Sequence, residues 1–122
     1  MAKEIILHID DDPDTLSIVK DMLESGGFKI DSAHSGKEGL AMLQKNKYDF
    51  ILLDVLMPDM SGWDIYQQIR KKGIRTKVAF LSAIECSKER MKKLKQEGVS
   101  DYIIKPIDPI ELKKRVATII RK

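Results

Sequence analysis

The sequence predicts an α/β protein: a doubly wound parallel sheet of five strands in the order 2-1-3-4-5, with helices on both faces. Three observations lead there. Short continuous apolar runs, the pattern of strands covered on both faces, alternate five times with segments of helical spacing. Capping residues mark the boundaries between them. Polar groups follow four of the five runs, and in open α/β sheets ligands bind at the carboxyl ends of the strands, where strand order reverses.

The first strand is "IILHI" (5–9), followed by Asp10, Asp11 and Asp12. Asp12 then Pro13 reads as an N-cap with proline at the first helical position, and Leu16, Val19, Met22 and Leu23 give the first helix one apolar face. "FKIDSA" (28–33) is the most polar candidate strand, as an edge strand would be, and ends in Ala33 and His34. Leu40 and Leu43 mark the second helix. "FILL" (50–53) ends in Asp54, and Tyr66 with Ile69 mark the helix after it. "VAFL" (78–81) leads into Ser82, and the fourth helix, "SKERMKKLKQE", offers only Met91 and Leu94 as apolar positions. "YII" (102–104) ends in Lys105. "DPIE" (108–111) is an Asp-led variant of the capping box, opening a last helix that carries Leu112, Val116, Ile119 and Ile120. Gly26, Gly73 and Gly98 stand where helices should stop. Placing the second strand outermost brings the four polar strand ends side by side.

At 122 residues, with no linker or repeat, the chain is expected to form one domain over 1–122. A lone Cys86 cannot form an internal disulfide, and no apolar run nears the ~18 residues a membrane span needs. The expectation is a cytoplasmic protein without a membrane partner. Net charge is +3, unevenly spread: residues 86–122 hold 11 Lys or Arg against 5 Asp or Glu, and residues 1–85 hold 11 against 14. With few, scattered aromatic residues, the basic segment reads as a solvated helical face and no direct nucleic-acid binding is expected.

The predicted topology gathers Asp10, Asp11, Asp54, Ser82 and Lys105 into one pocket. Carboxylates ~5 Å apart repel by roughly 3 kcal/mol per pair at an effective dielectric near 20, so three cannot all stay ionised unaided. Lys105 offsets one charge. An all-oxygen donor set suits Mg²⁺ for the remainder, and with no His or Cys placed beside the acids zinc is disfavoured. Asp54 then becomes a nucleophile for a phosphoryl group, with Ser82 and Lys105 each meeting a phosphoryl oxygen.

Together the blocks "ILHIDDD", "FILLDVLMPDMSGWD", "FLSA" and "DYIIKP" resemble the receiver domain of two-component response regulators, over essentially the whole chain. The resemblance implies a flavodoxin-like (βα)5 fold. It implies Mg²⁺ held by Asp11, Asp54 and the backbone carbonyl of Leu56, with Asp10 supporting through water. Asp54 would be the phosphoacceptor, Ser82 the hydroxyl that follows the phosphoryl group, Lys105 its ion partner, and Tyr102 an aromatic that changes rotamer. A cis Lys105–Pro106 peptide is also implied. Gly39 stands where Ala is usual, Ile107 where an aromatic often follows Lys-Pro, and Ser82 replaces the frequent Thr; none removes a functional group. Leu56 and Ile84 match positions bordering the path of the hydrolytic water, and neither can orient water, so slow autodephosphorylation is expected.

The implied function is a switch and not an enzyme with a separate substrate. It would take its phosphoryl group from a sensor histidine kinase or phosphotransfer protein and change the face of helix four, strand five and helix five for a downstream protein partner. The chain as it ends at Lys122 suits a single-domain regulator, monomeric or weakly dimeric, and equally a receiver excised from a longer protein. Two other classes compete. A phosphohydrolase of the haloacid dehalogenase type wants D-x-D-x-T after strand one, and "DDDPDT" has Asp at position 14. A flavodoxin-like cofactor or interaction module would want a Ser/Thr-rich phosphate loop there, where this chain has acids. Histidines 8 and 34 are read as structural.

Overall fold

The computed structural model describes residues 3–121. Its strands are β1 (Ile5–Ile9), β2 (Lys29–Ala33), β3 (Phe50–Leu53), β4 (Lys77–Ser82) and β5 (Asp101–Ile104). The helices between and after them are α1 (Pro13–Ser25), α2 (Gly36–Lys45), α3 (Gly62–Lys71), α4 (Lys88–Gln96) and α5 (Pro109–Ile120). All strand pairs are parallel, in the order β2-β1-β3-β4-β5. This is the flavodoxin-like arrangement expected from the sequence.

Strand alternation sorts the core into two layers. Ile6, Phe50, Leu52, Ala79, Leu81 and Ile103 pack with Val19 and Leu23 of α1 and Leu112 and Val116 of α5. Leu7, Ile9, Ile51, Leu53, Val78 and Phe80 pack with Leu43 of α2, Ile65 and Ile69 of α3 and Leu94 of α4. The helix that follows β1 therefore covers one face and the helix that follows β3 the other. That divergence opens a crevice above the adjacent carboxyl ends of β1 and β3.

Local chemistry sets the boundaries. The Asp12 carboxylate accepts from the Asp14 N–H at 3.1 Å and the Asp108 carboxylate from the Ile110 N–H at 3.0 Å, each ahead of a proline at the first helical position. At α2 the Ser35 hydroxyl accepts from the Glu38 N–H, while Glu38 reaches back to accept from the His34 N–H. α1, α3 and α4 close on left-handed glycines, Gly27, Gly73 and Gly98, with the following N–H bonded back to the carbonyl of Leu23, Ile69 or Leu94. Gly26, expected as the stop of α1, is the cap itself with an ordinary negative φ; its neighbour Gly27 makes the left-handed turn.

α4 is the least anchored helix: Leu94 is its one buried residue, as the sparse apolar face of the segment predicts. Beside it, Arg115 of α5 grips Asp101 at the start of β5 through two hydrogen bonds, at 2.9 and 2.7 Å. No described helix is long and apolar enough to cross a membrane.

Candidate functional site

The backbone ladder continues one residue beyond three of the strands and fixes the site. The N–H groups of Asp10, Asp54 and Lys105 donate to the carbonyls of Ala33, Ile9 and Ser82, at 3.1, 3.0 and 2.8 Å. Each side chain is thereby carried over the sheet edge by a backbone still bonded to its neighbour strand. One carboxylate oxygen from each of Asp10, Asp11 and Asp54 lies within 4.8 Å of the others. Asp10 and Asp54 are buried and Asp11 is exposed, so the cluster opens to solvent on one side.

Lys105 reaches this cluster but does so through Asp10: its Nζ lies 3.1 Å from Asp10 Oδ2. Asp10 Oδ1 accepts from the Asp12 N–H at 3.0 Å. Burial would push the Asp10 carboxyl up, but the hydrogen bond from the Asp12 N–H and the Lys105 ammonium hold it below its ordinary value. Asp54 goes the other way. Desolvation, then repulsion from Asp10, push it up to about 6, with Lys105 and the N–H groups of Val55 and Leu56 opposing. The two acids thus differ in proton affinity: Asp54 is desolvated beside a charged Asp10, while Asp10 has the Asp12 N–H and the nearer Lys105 ammonium to offset its burial.

Ser82 is buried at the end of β4, its Oγ accepting from the Ile84 N–H at 3.2 Å. Tyr102 is 6% exposed and donates its hydroxyl to the Ile84 carbonyl at 2.7 Å. Burial raises the phenol's pKa, and the neighbouring Ser82 hydroxyl offsets part of the rise. The ring, which the resemblance implies changes rotamer, is buried here with its centroid 6.2 Å from that of Phe80. A cavity of about 480 Å³ lies between the start of α3 and α4, lined by Val55, Trp63, Cys86, Arg90 and Tyr102 among others. Leu56 and Ile84 are exposed at the rim, and the Lys105–Pro106 peptide is cis.

Two glycines permit this packing. A Cβ on Gly62, in the first turn of α3, would collide with the backbone carbonyl of Asp54, and the Gly62 N–H donates to the Val55 carbonyl at 2.8 Å. A Cβ on Gly39 would run into the side chain of Ile9, which explains why Gly stands there.

Sequence reasoning misplaced one residue. No histidine was expected beside the acids, yet the His8 Nε2 lies 3.7 Å from Asp10 Oδ2 and the ring is fully buried. The signal was present: residues 8 and 10 of one strand project to the same face. Asp59 was also missed. Its carboxylate accepts from the Gly36 and Lys37 N–H groups at 3.2 and 3.1 Å, tying the loop after Asp54 to the start of α2; a contact 22 and 23 residues away carries no sequence signature.

Fold and site together define an open parallel α/β domain with an acidic crevice at its switch point. The family model for the response regulator receiver domain matches residues 6–117, and the chain belongs to that family. It is 36% identical over 117 residues to the transcriptional regulatory protein PcoR of Escherichia coli, covering 96% of this chain and 51% of that protein. The chain spans about half the length of the first curated relatives it matches. Among solved structures it is similar to the receiver domain of the Francisella response regulator 1452, at a TM-score of 0.89 and 33% identity, covering 98% of each chain. It is also similar to the response regulator TrrA of Thermotoga maritima in complex with Mg²⁺-BeF, at 0.81 and 31%, covering 95% of this chain and 98% of that one.

Proposed function

We propose that this receiver domain is a Mg²⁺-dependent phosphoacceptor switch with Asp54 as the acceptor. The convergence of three carboxylates with Lys105 beside them carries the reading. Carboxylates this close need a cation in addition to one lysine, and an all-oxygen set fits Mg²⁺. Asp11, Asp54 and the Leu56 carbonyl would hold the ion, with Asp10 behind them. Once bound, it neutralises charge that develops on the phosphoryl oxygens.

An Asp54 carboxylate oxygen attacks the phosphorus of a phosphohistidine in line. The new O–P bond forms as the P–N bond breaks, and the electron pair leaves with the donor's imidazole. Lys105 then exchanges Asp10 for one phosphoryl oxygen, and the Ser82 hydroxyl turns toward another. Because the Ser82 hydroxyl is bonded to the Ile84 N–H and the Ile84 carbonyl to the Tyr102 hydroxyl, this movement pulls on the β4–α4 loop and on the weakly held α4, reshaping the face of α4, β5 and α5. A sensor histidine kinase or phosphotransfer protein would donate, and a protein partner would read that face. The domain turns over no separate substrate, and its place is the cytoplasm. A phosphohydrolase with its nucleophile at the end of β1 fits less well, since both oxygens of Asp10 already accept hydrogen bonds.

The test is incubation with a small-molecule phosphodonor, with and without Mg²⁺, followed by intact mass and site mapping. The expected result is one phosphoryl group on residue 54, dependent on Mg²⁺ and absent in Asp54→Asn. Labelling that persists in the variant, or ignores chelation, refutes the reading.

A further inference from the structure

We propose that His8 is a positioning residue for Asp10: its imidazole Nε2–H takes over the hydrogen bond to Asp10 Oδ2 when Lys105 leaves that oxygen for a phosphoryl group. The inference rests on the phosphoacceptor reading of Asp54. It starts from an anomaly. Among the described residues, the buried side-chain nitrogen and oxygen atoms without a hydrogen-bond partner are the two ring nitrogens of His8. A buried polar group left unpaired costs free energy, and an apolar residue would fill the same place between Ser32 and Leu52 without that cost.

The ring does have a prospective partner. Nε2 stands 3.7 Å from Asp10 Oδ2, beyond hydrogen-bond length, and that oxygen is the one Lys105 holds at 3.1 Å. Two donors thus face one acceptor, one engaged and one short of contact by less than an ångström. When phosphorylation draws Lys105 away, Asp10 Oδ2 would otherwise lose its hydrogen-bond donor in a fully buried place. Burial holds the imidazole neutral, with Asp10 and Lys105 as the charged groups that face it. A neutral donor suits the site, since it orients the carboxylate without adding positive charge beside a bound cation and Lys105.

The test uses the full chain with ¹⁵N-labelled histidine and reads ring nitrogens in Mg²⁺ before and after beryllofluoride, with ¹⁹F signals reporting the complex. Expected is a neutral Nε2–H tautomer whose proton moves downfield as the complex forms, while exposed His34 stays put. An Nδ1–H tautomer or an unmoved Nε2 proton in a formed complex overturns this inference alone. If no complex forms on Asp54, the phosphoacceptor reading falls and this one with it. In parallel, His8→Leu should weaken beryllofluoride binding about tenfold, as for loss of a hydrogen bond to a charged group. His8→Gln, which can place an amide N–H near the same point, should recover most of it. Equal affinities in all three proteins overturn the inference, and the wild-type spectrum decides it even if a variant does not fold.

Discussion

Replacing Asp54 by Asn should make the protein more stable at neutral pH while abolishing phosphorylation. The Asp54 carboxyl is raised from 3.8 to about 6 in the folded protein. Between roughly pH 4 and pH 6 the folded state keeps a proton that the unfolded chain has released, so rising pH favours unfolding across that window. Above pH 6 the penalty is complete; below pH 4 both states are protonated and it vanishes. A shift of about two units corresponds to on the order of 3 kcal/mol. The site opens to solvent on the side of Asp11, so screening brings the figure below that value. Asn keeps the shape and removes the charge. Urea denaturation in EDTA at pH 7.5 and pH 4 provides the assay, with the gain expected at pH 7.5 and nearly absent at pH 4. Mg²⁺ at a hundred times its dissociation constant should stabilise the wild type by about 2.7 kcal/mol and the variant far less. An Asn variant no more stable at pH 7.5, or a gain of equal size at both pH values, would refute the electrostatic account of the site.

Gly62→Ala should destabilise by about 1–3 kcal/mol through overpacking, because the obstacle is the Asp54 backbone, and it should also weaken Mg²⁺ binding. Gly27→Ala, where open space surrounds a left-handed φ, should cost about 1–2 kcal/mol and leave Mg²⁺ binding unchanged. Equal Mg²⁺ affinity in both variants would separate Gly62 from the site. Placing Asn at Leu56 and Gln at Ile84, both exposed at the rim, should shorten the phosphoryl lifetime, measured by loss of label over time; an unchanged lifetime removes these positions from the water path. Amide exchange should be faster in Lys88–Gln96 than in Pro13–Ser25, and beryllofluoride should change it; identical protection with and without the mimic would exclude α4 from the switch.

Much of the molecule is legible in the chain because its signals are local. Apolar runs placed every strand to within a residue or so, apolar spacing and capping residues located the five helices between them, and the rule that ligands bind at strand carboxyl ends singled out Asp10, Asp11, Asp54, Ser82 and Lys105. The exposed, apolar-poor α4 was visible in its composition. Less legible were relations between distant residues: Asp59 at the N-terminus of α2, and the collision that makes Gly62 necessary.

By itself the sequence determined the order of elements, the two-faced burial of the sheet and which side chains stand at its rim, since these follow from periodicity and capping within a few residues. Only the tertiary structure decided how the charges pair. Lys105 settles on Asp10, Asp54 is desolvated beside that charged acid and takes the raised proton affinity, and His8 waits 3.7 Å from the oxygen that Lys105 holds. The reason is physical: in a buried site a displacement of about one ångström decides whether a donor is bonded or idle, and hydrophobic patterning carries no information at that scale.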